Sequence, residues 1–349
     1  MFCTVAAQQA GERIVGTASH YDAYVLIECP KPWPVNAFTS KGMPSALRQF
    51  IKATKAQRSV QFLCIAGQHT AITSGLKVLI YEKAEHAIHA ERTALSALKT
   101  LDGNGFSRGY VGYEFEVDSL EQVIPCVEAY WQQEKQVANV IQTQDLLVCT
   151  HGMRDMCCAR FGQPFYRQAK HLAKLGQLPN TRTWQVSHIG GHRFAPTAIS
   201  LPDGRYYGRL TVEALAAIAN RQGPIEQIVS VYRGWGVLPQ PVQFLEQRLL
   251  LQHGWSWLDA AVSYRCESDP SEESTLQIEL SVQFPDSQFP DGQVSTYRAV
   301  LKRDTSQPYC VQASCSATVP ATFVKYVVTE LSRCTALPAR DFSKVVTSG

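Results

Sequence analysis

The segment from Cys149 to Arg209 constrains this chain more than any other. It opens with Cys149-Thr-His-Gly-Met-Arg-Asp-Met-Cys157-Cys158-Ala and runs on to Ser187-His188-Ile-Gly190-Gly191-His192-Arg193-Phe-Ala-Pro. Thiolates beside imidazoles are the donors that zinc or an iron–sulfur cluster takes. A fold that uses them must bring side chains from well-separated positions to one point. His188 and His192 have helical spacing, but Gly190 and Gly191 lie between them. Each glycine weakens a helix by about 1 kcal/mol relative to Ala. A tight loop that turns both imidazoles the same way is the better expectation. Arg193 follows directly, a fixed positive charge that would favour a reduced, more negative centre.

Asp145-Leu-Leu-Val-Cys149 reads as a short buried strand, which puts Cys149 at a strand's carboxyl end, where α/β folds place their chemistry. The loop after it holds Gly152, Arg154 and Asp155, then Cys157 and Cys158, and a helix is expected near residues 165–175. A thioredoxin-type CxxC is absent, so dithiol exchange by that motif is not expected. Neighbouring cysteines form only a strained disulfide, so one of Cys157 and Cys158 reads as a ligand and the other as a passenger. On chemistry alone three classes stand: a 2Fe–2S electron carrier, a structural Cys2His2 zinc protein, and a redox sensor with Cys157 and Cys158 as reactive thiols. The gaps, eight residues between Cys149 and Cys158 and 29 between Cys158 and His188, do not fit a zinc finger.

The run CTHGxRDxCCA, then W-x-x-SHxGGHRFAPTA, then P-x-G-x-x-YGR, resembles the sucrase/ferredoxin-like family. Weaker similarity reaches Gly16-Thr17-Ala18 and Glu28-Cys29-Pro-Lys-Pro-Trp33. The resemblance implies a thioredoxin-like ferredoxin with a non-Rieske 2Fe–2S cluster on two cysteines and two histidines. Its ligand pattern falls on Cys149, Cys158, His188 and His192, and it selects Cys158 over Cys157. It implies an electron carrier rather than an enzyme with its own substrate site, working with a redox partner protein. Neutral imidazoles in place of thiolates raise the potential, and their second ring nitrogens couple reduction to protons. His151, Arg154, Asp155, Cys157 and Arg193 are expected around the ligands. Trp184 is read either as a shield against water or as core. No paired carboxylates support the glycoside hydrolysis that the family's name suggests.

A net charge of +3 without a long Lys/Arg run argues against a nucleic-acid groove, and no apolar stretch approaches the roughly 20 residues of a membrane span. Eleven cysteines without a disulfide-framework spacing, and no basic leader at the start, lead us to expect a cytoplasmic protein.

Strands are expected over 23–29, 60–66, 76–81 and 110–117, with helices over 44–53 and 120–138. The order recurs with strands at 146–149, 183–186, 197–201 and 206–210, and helices near 165–175 and over 212–221, the latter capped by Thr211. The expected class is therefore α/β (α+β), with a thioredoxin-like lobe duplicated. Residues 1–140 form a lobe without a cluster, with Cys29 where the second lobe has Cys149, and 141–222 form the cluster domain. Residues 223–335 read as two helices (225–235 and 242–253), a four-stranded meander (258–265, 275–284, 295–302, 309–315) and a closing helix over 324–333. A mobile tail follows at 336–349. Cys310 and Cys315 are read as core residues, and His86 and His89 as a solvated helix face.

Overall fold

The computed structural model describes residues 1–67, 75–84, 105–132, 139–269, 272–285 and 294–335. His86, His89 and the tail 336–349 lie outside the described residues. The chain divides into two compact units. One comprises Met1–Ala84, Gly109–Gly254 and Asp304–Tyr326; the other comprises Glu85–Arg108, Trp255–Arg303 and Val327–Gly349.

The first unit begins with helix α1 (Cys3–Gln9), then β1 (Ala23–Glu28), α2 (Ser45–Gln57), β2 (Val60–Ala66), β3 (Leu76–Lys83), β4 (Tyr110–Val117), α3 (Val123–Trp131) and β5 (Asn139–Val140). It continues through β6 (Gln144–Cys149), α4 (Gln163–Lys174), β7 (Thr181–Val186), β8 (Ala198–Leu201), β9 (Arg205–Tyr207), α5 (Val212–Asn220), α6 (Glu226–Val229), β10 (Tyr232–Trp235) and α7 (Val242–His253). Its ten strands form one mixed sheet in the order β10-β9-β8-β6-β7-β2-β1-β3-β4-β5. All six residues of β1 are buried, as an unbroken apolar run requires of a strand covered on both faces. Helix α2 buries Leu47, Ile51 and Thr54, one helical stripe, against the sheet core of Val25, Ile27, Phe62 and Ile80.

The same strand order appears twice in the sheet. In the first half β1 is parallel to β2 and antiparallel to β3, which pairs with β4. In the second half β6 is parallel to β7 and antiparallel to β8, which pairs with β9. Both halves thus have the strand order second-first-third-fourth of a thioredoxin-like lobe. The two second strands meet antiparallel, Ile65 opposite Val186 and Ala66 opposite Gln185. Ser187 strengthens the seam: its N–H donates to Cys64 O at 2.8 Å and its Oγ accepts from Cys64 N at 3.0 Å.

Asp145 ties three strands together. Its fully buried carboxylate accepts from Arg182 through Nε and Nη2, each at 2.6 Å, from Trp184 Nε1 at 2.9 Å, and from the Tyr81 hydroxyl. Trp184 is therefore a core residue bound to Asp145.

In the second unit β11 (Ala261–Asp269), β12 (Glu272–Gln283) and β13 (Ser295–Arg303) form the expected antiparallel meander. Three expectations are corrected beyond it. Residues 309–315 do not supply the fourth strand. Only β14 (Tyr309–Val311) is extended there, and it pairs with β15 (Ala321–Phe323) in a separate hairpin of the first unit. The fourth place goes to β16 (Tyr326–Thr335), where a closing helix was expected. The β-branched Val327, Val328 and Thr329 suit a pleated strand, and the helical spacing there was fortuitous. The helix expected over 225–235 is only α6, because Gly234, with φ of 136°, and the pairing of Tyr232–Trp235 with β9 hold the rest as β10. Thr211 does cap α5, its hydroxyl accepting from Ala214 N.

Candidate metal centre

Parallel strands β6 and β7 end side by side, Cys149 opposite Val186, so the loops leaving them start at neighbouring points. The first loop carries His151 to Cys158 and re-enters helix through a π-type turn, Cys158–Gly162, that leads into α4. Gly162 is needed there: a Cβ on it would lie 2.0 Å from the carbonyl oxygen of Cys149. The close approach sets Cys158 over Cys149. The second loop carries His188, then Gly190 and Gly191 with φ of 80° and 73°, the left-handed backbone expected of the glycine pair. His192 follows in a short turn, His192–Phe194.

The ligand atoms of Cys149, Cys158 and His188 all lie within 4.8 Å of one another. Both cysteines are buried, and His188 Nδ1 is 4.0 Å from Cys158 Sγ. His192 stands beyond that trio, with Nδ1 3.4 Å from His188 Nε2 and the two rings 5.0 Å apart. Its Nε2–H donates to Ala313 O at 2.6 Å and lies 3.8 Å from Asp155 Oδ2, which leaves the lone pair on Nδ1, the nitrogen beside His188. A hydrogen bond from Cys158 holds the Cys149 thiol well below its ordinary pKa despite burial, and the same bond with burial pushes Cys158 up. This is the behaviour of a thiol–thiolate pair.

The surrounding residues divide. His151 is buried, and its Nδ1 accepts from His188 N at 3.2 Å, which puts the proton on Nε2, donating to Pro34 O at 2.7 Å. It orients the His188 loop. Trp33 packs edge-on against it. Asp155 is buried and accepts from the backbone N–H of Cys157 at 2.8 Å. Arg154 donates its backbone N–H to His151 O, and its side chain is exposed, with its charge acting on His151. Arg193 does not supply a free positive charge: it is clamped on both oxygens of fully buried Glu12 at 2.9–3.1 Å and lies over the Phe323 ring. Cys157 is no passenger, since its thiol meets Cys3 and Cys315.

The sequence reading missed Arg233. Fully buried, it donates from Nη1 to Gly190 O at 3.1 Å, from Nε to Thr17 Oγ1 at 3.1 Å, and from Nη2 to Thr17 O. Any Cβ on Gly191 would strike its guanidinium. Arg233 is the cation that faces the histidine loop, and burial pulls its pKa down to about 10. Gly16, with φ of 72°, is equally constrained, because a Cβ would lie 2.0 Å from the Phe244 ring. The weakly similar Gly16-Thr17-Ala18 thus has a role: it receives Arg233. Nothing local in Tyr232-Arg-Gly-Trp marks the arginine, because its partners lie 43 and 216 positions away.

A model of the family described as sucrase/ferredoxin-like matches residues 14–234, more than half of the chain. The chain belongs to the sucrase/ferredoxin-like family. The match takes in both halves of the ten-stranded sheet up to Gly234 and so extends well beyond the Cys149–His192 segment. The chain is also similar to altered inheritance of mitochondria protein 32 of Meyerozyma guilliermondii, 31% identical over 97 residues. That alignment covers 26% of this chain and spans about a third, 34%, of the relative's length. No solved structure matches this chain. Among the described residues, no helix is long and apolar enough to cross a membrane.

Proposed function

We propose that this sucrase/ferredoxin-like chain is an electron carrier, with Cys149, Cys158, His188 and His192 holding a 2Fe–2S cluster. One observation carries the reading: two buried thiols and an imidazole converge within 4.8 Å at the ends of two parallel strands. The fourth donor, His192, has its outer nitrogen fixed on Ala313 O. The donor set fits the group, since two thiolates and two neutral imidazoles are a recognised alternative to four thiolates. Bound there, such a cluster would accept and release one electron.

The chain's own part is positioning and proton control. Cys149 and Cys158 supply negative charge on the buried side of the site, and His188 and His192 stand half-buried on its outer side. Arg233, anchored on Gly190 O, balances that charge and fixes the loop between the histidines. His151 sets the His188 backbone, and Ala313 O keeps a proton on the outer nitrogen of His192. We take the electron donor and acceptor to be proteins, and the setting to be a reducing cytoplasm, in keeping with eleven free cysteines.

The test is the visible absorption spectrum of protein purified without air, with iron, sulfide and zinc assayed on the same sample. The expected result is a coloured protein bleached by dithionite, with iron and sulfide in equal amounts, and both lost in Cys158→Ser. A colourless protein holding zinc on Cys149 and Cys158 would overturn the electron-transfer reading.

A further inference from the structure

Three cysteines from distant parts of the chain meet beside the centre just described. Cys3 lies at the start of α1, Cys157 in the loop after β6, and Cys315 between β14 and β15. Their Sγ atoms form a tight triangle: 3.4 Å from Cys3 to Cys157, 3.3 Å from Cys157 to Cys315, and 3.6 Å from Cys315 to Cys3. Asp155 closes the set, with Oδ1 3.9 Å from Cys3 Sγ and all four donor atoms within 4.8 Å of one another. Cys3 and Cys157 are fully buried, and Asp155 is 4% exposed.

Two ordinary readings of such a group fail. Disulfide sulfurs lie about 2.0 Å apart and pair by twos, whereas here three thiols are evenly spaced. Cys3 and Cys157 do pack on Ala195, Phe2 and Phe161 as core thiols would, but a buried carboxylate among them is what a purely apolar core excludes. Deprotonated, the four groups would offer three thiolates and a carboxylate, a charge that a bound cation would offset; the other titratable group facing the carboxylate is His192, with Nε2 3.8 Å from Asp155 Oδ2. The geometry suits one ion. A tetrahedron with metal–sulfur bonds of about 2.3 Å has edges of about 3.8 Å, close to the sides of this triangle. A multi-iron cluster spreads its thiolates over different metal atoms, and so farther apart.

We propose that Cys3, Cys157 and Cys315, with Asp155 as fourth donor, bind a single zinc ion. Soft thiolates in tetrahedral array select zinc over the hard divalent cations. The carboxylate is already oriented, because it accepts the backbone N–H of Cys157 at 2.8 Å and of Cys315 at 2.9 Å. Each oxygen keeps a further lone pair for the metal. The ion would clamp α1 and the 309–323 hairpin to the loop carrying Cys158. The hairpin's own Ala313 carbonyl holds His192. The consecutive cysteines thus divide between two sites, Cys158 facing Cys149 and Cys157 facing this one.

The experiment measures zinc, iron and sulfide per chain in the full-length protein, incubated with equimolar zinc and desalted. Wild type is compared with Cys3→Ser, Cys315→Ser and Cys149→Ser, and with Cys310→Ser, whose thiol is exposed. One zinc per chain is expected in wild type, Cys149→Ser and Cys310→Ser, and none in Cys3→Ser or Cys315→Ser. X-ray absorption at the zinc edge of wild type, which needs no variant to fold, should show three sulfurs at about 2.3 Å. The proposal is overturned by a wild type without zinc, by zinc that survives both Cys3→Ser and Cys315→Ser, or by zinc that leaves with Cys149→Ser. Iron and sulfide report separately on the Cys149 centre, so the failure of either site is distinguishable from that of the other.

Discussion

Gly162 fixes the distance between the strand that ends at Cys149 and the turn that begins at Cys158. A methyl group there meets the Cys149 carbonyl at 2.0 Å, and a backbone oxygen cannot move aside as a side chain can. Gly162→Ala is expected to cost about 1–3 kcal/mol by overpacking and to lower the iron bound per chain. Urea unfolding with iron analysis measures both, and wild-type stability with full iron would refute the steric argument. His192 governs a second prediction, which rests on the proposed function. Reduction adds negative charge beside its imidazole and so raises the affinity of the outer nitrogen for its proton. Raising the pH removes that proton and disfavours reduction, so the midpoint potential should fall with pH by up to about 59 mV per unit for one proton per electron. Voltammetry across the neutral and alkaline range checks this, and a flat profile would exclude proton coupling at the histidines.

At the scale of elements, the site depends on β6 and β7 staying in register, and the Asp145 node under β3, β6 and β7 maintains that register. Asp145→Leu leaves Arg182 paired with Glu114 but removes the acceptor of Trp184 Nε1 and of the Tyr81 hydroxyl. Each buried donor left unpaired costs about 1–3 kcal/mol. Chemical denaturation should show a loss of that size, and a loss below 1 kcal/mol would mean that the node is incidental. The element boundaries that the sequence yielded best were those with a local cause. Thr211 is a cap, α2 has a clear apolar stripe, and β1 and β6 carry the short apolar runs Ala23–Ile27 and Leu146–Cys149. It failed at 225–235 and 324–333, where helical spacing and strand pairing compete and only the neighbouring strands decide.

Across the whole molecule, the two halves of the sheet have the same strand order and meet at their second strands. The halves are not equivalent in chemistry. Cys29 ends β1's run as Cys149 ends β6, but it is hydrogen-bonded to Cys64, which lowers its pKa, and no histidine faces it among the described residues. The first half instead supports the second: Pro34 O receives His151, Lys31 donates to Gln185 at 2.7 Å, and Thr17 receives Arg233.

The sequence alone indicated the repeated strand order and the glycine turn between the histidines, and its family resemblance implied the donor set Cys149, Cys158, His188 and His192. The strand order and the turn rest on residue type and on spacing over a few positions, which local backbone preferences can read. The tertiary structure alone decided that Arg233 faces the histidine loop, that Glu12 neutralises Arg193, and that Cys157 belongs with Cys3 and Cys315. These pairings span roughly 40 to 220 positions, and no local pattern encodes them. They arise because burial leaves a charge or a thiol stable only beside a partner, and the fold decides which partner is within reach.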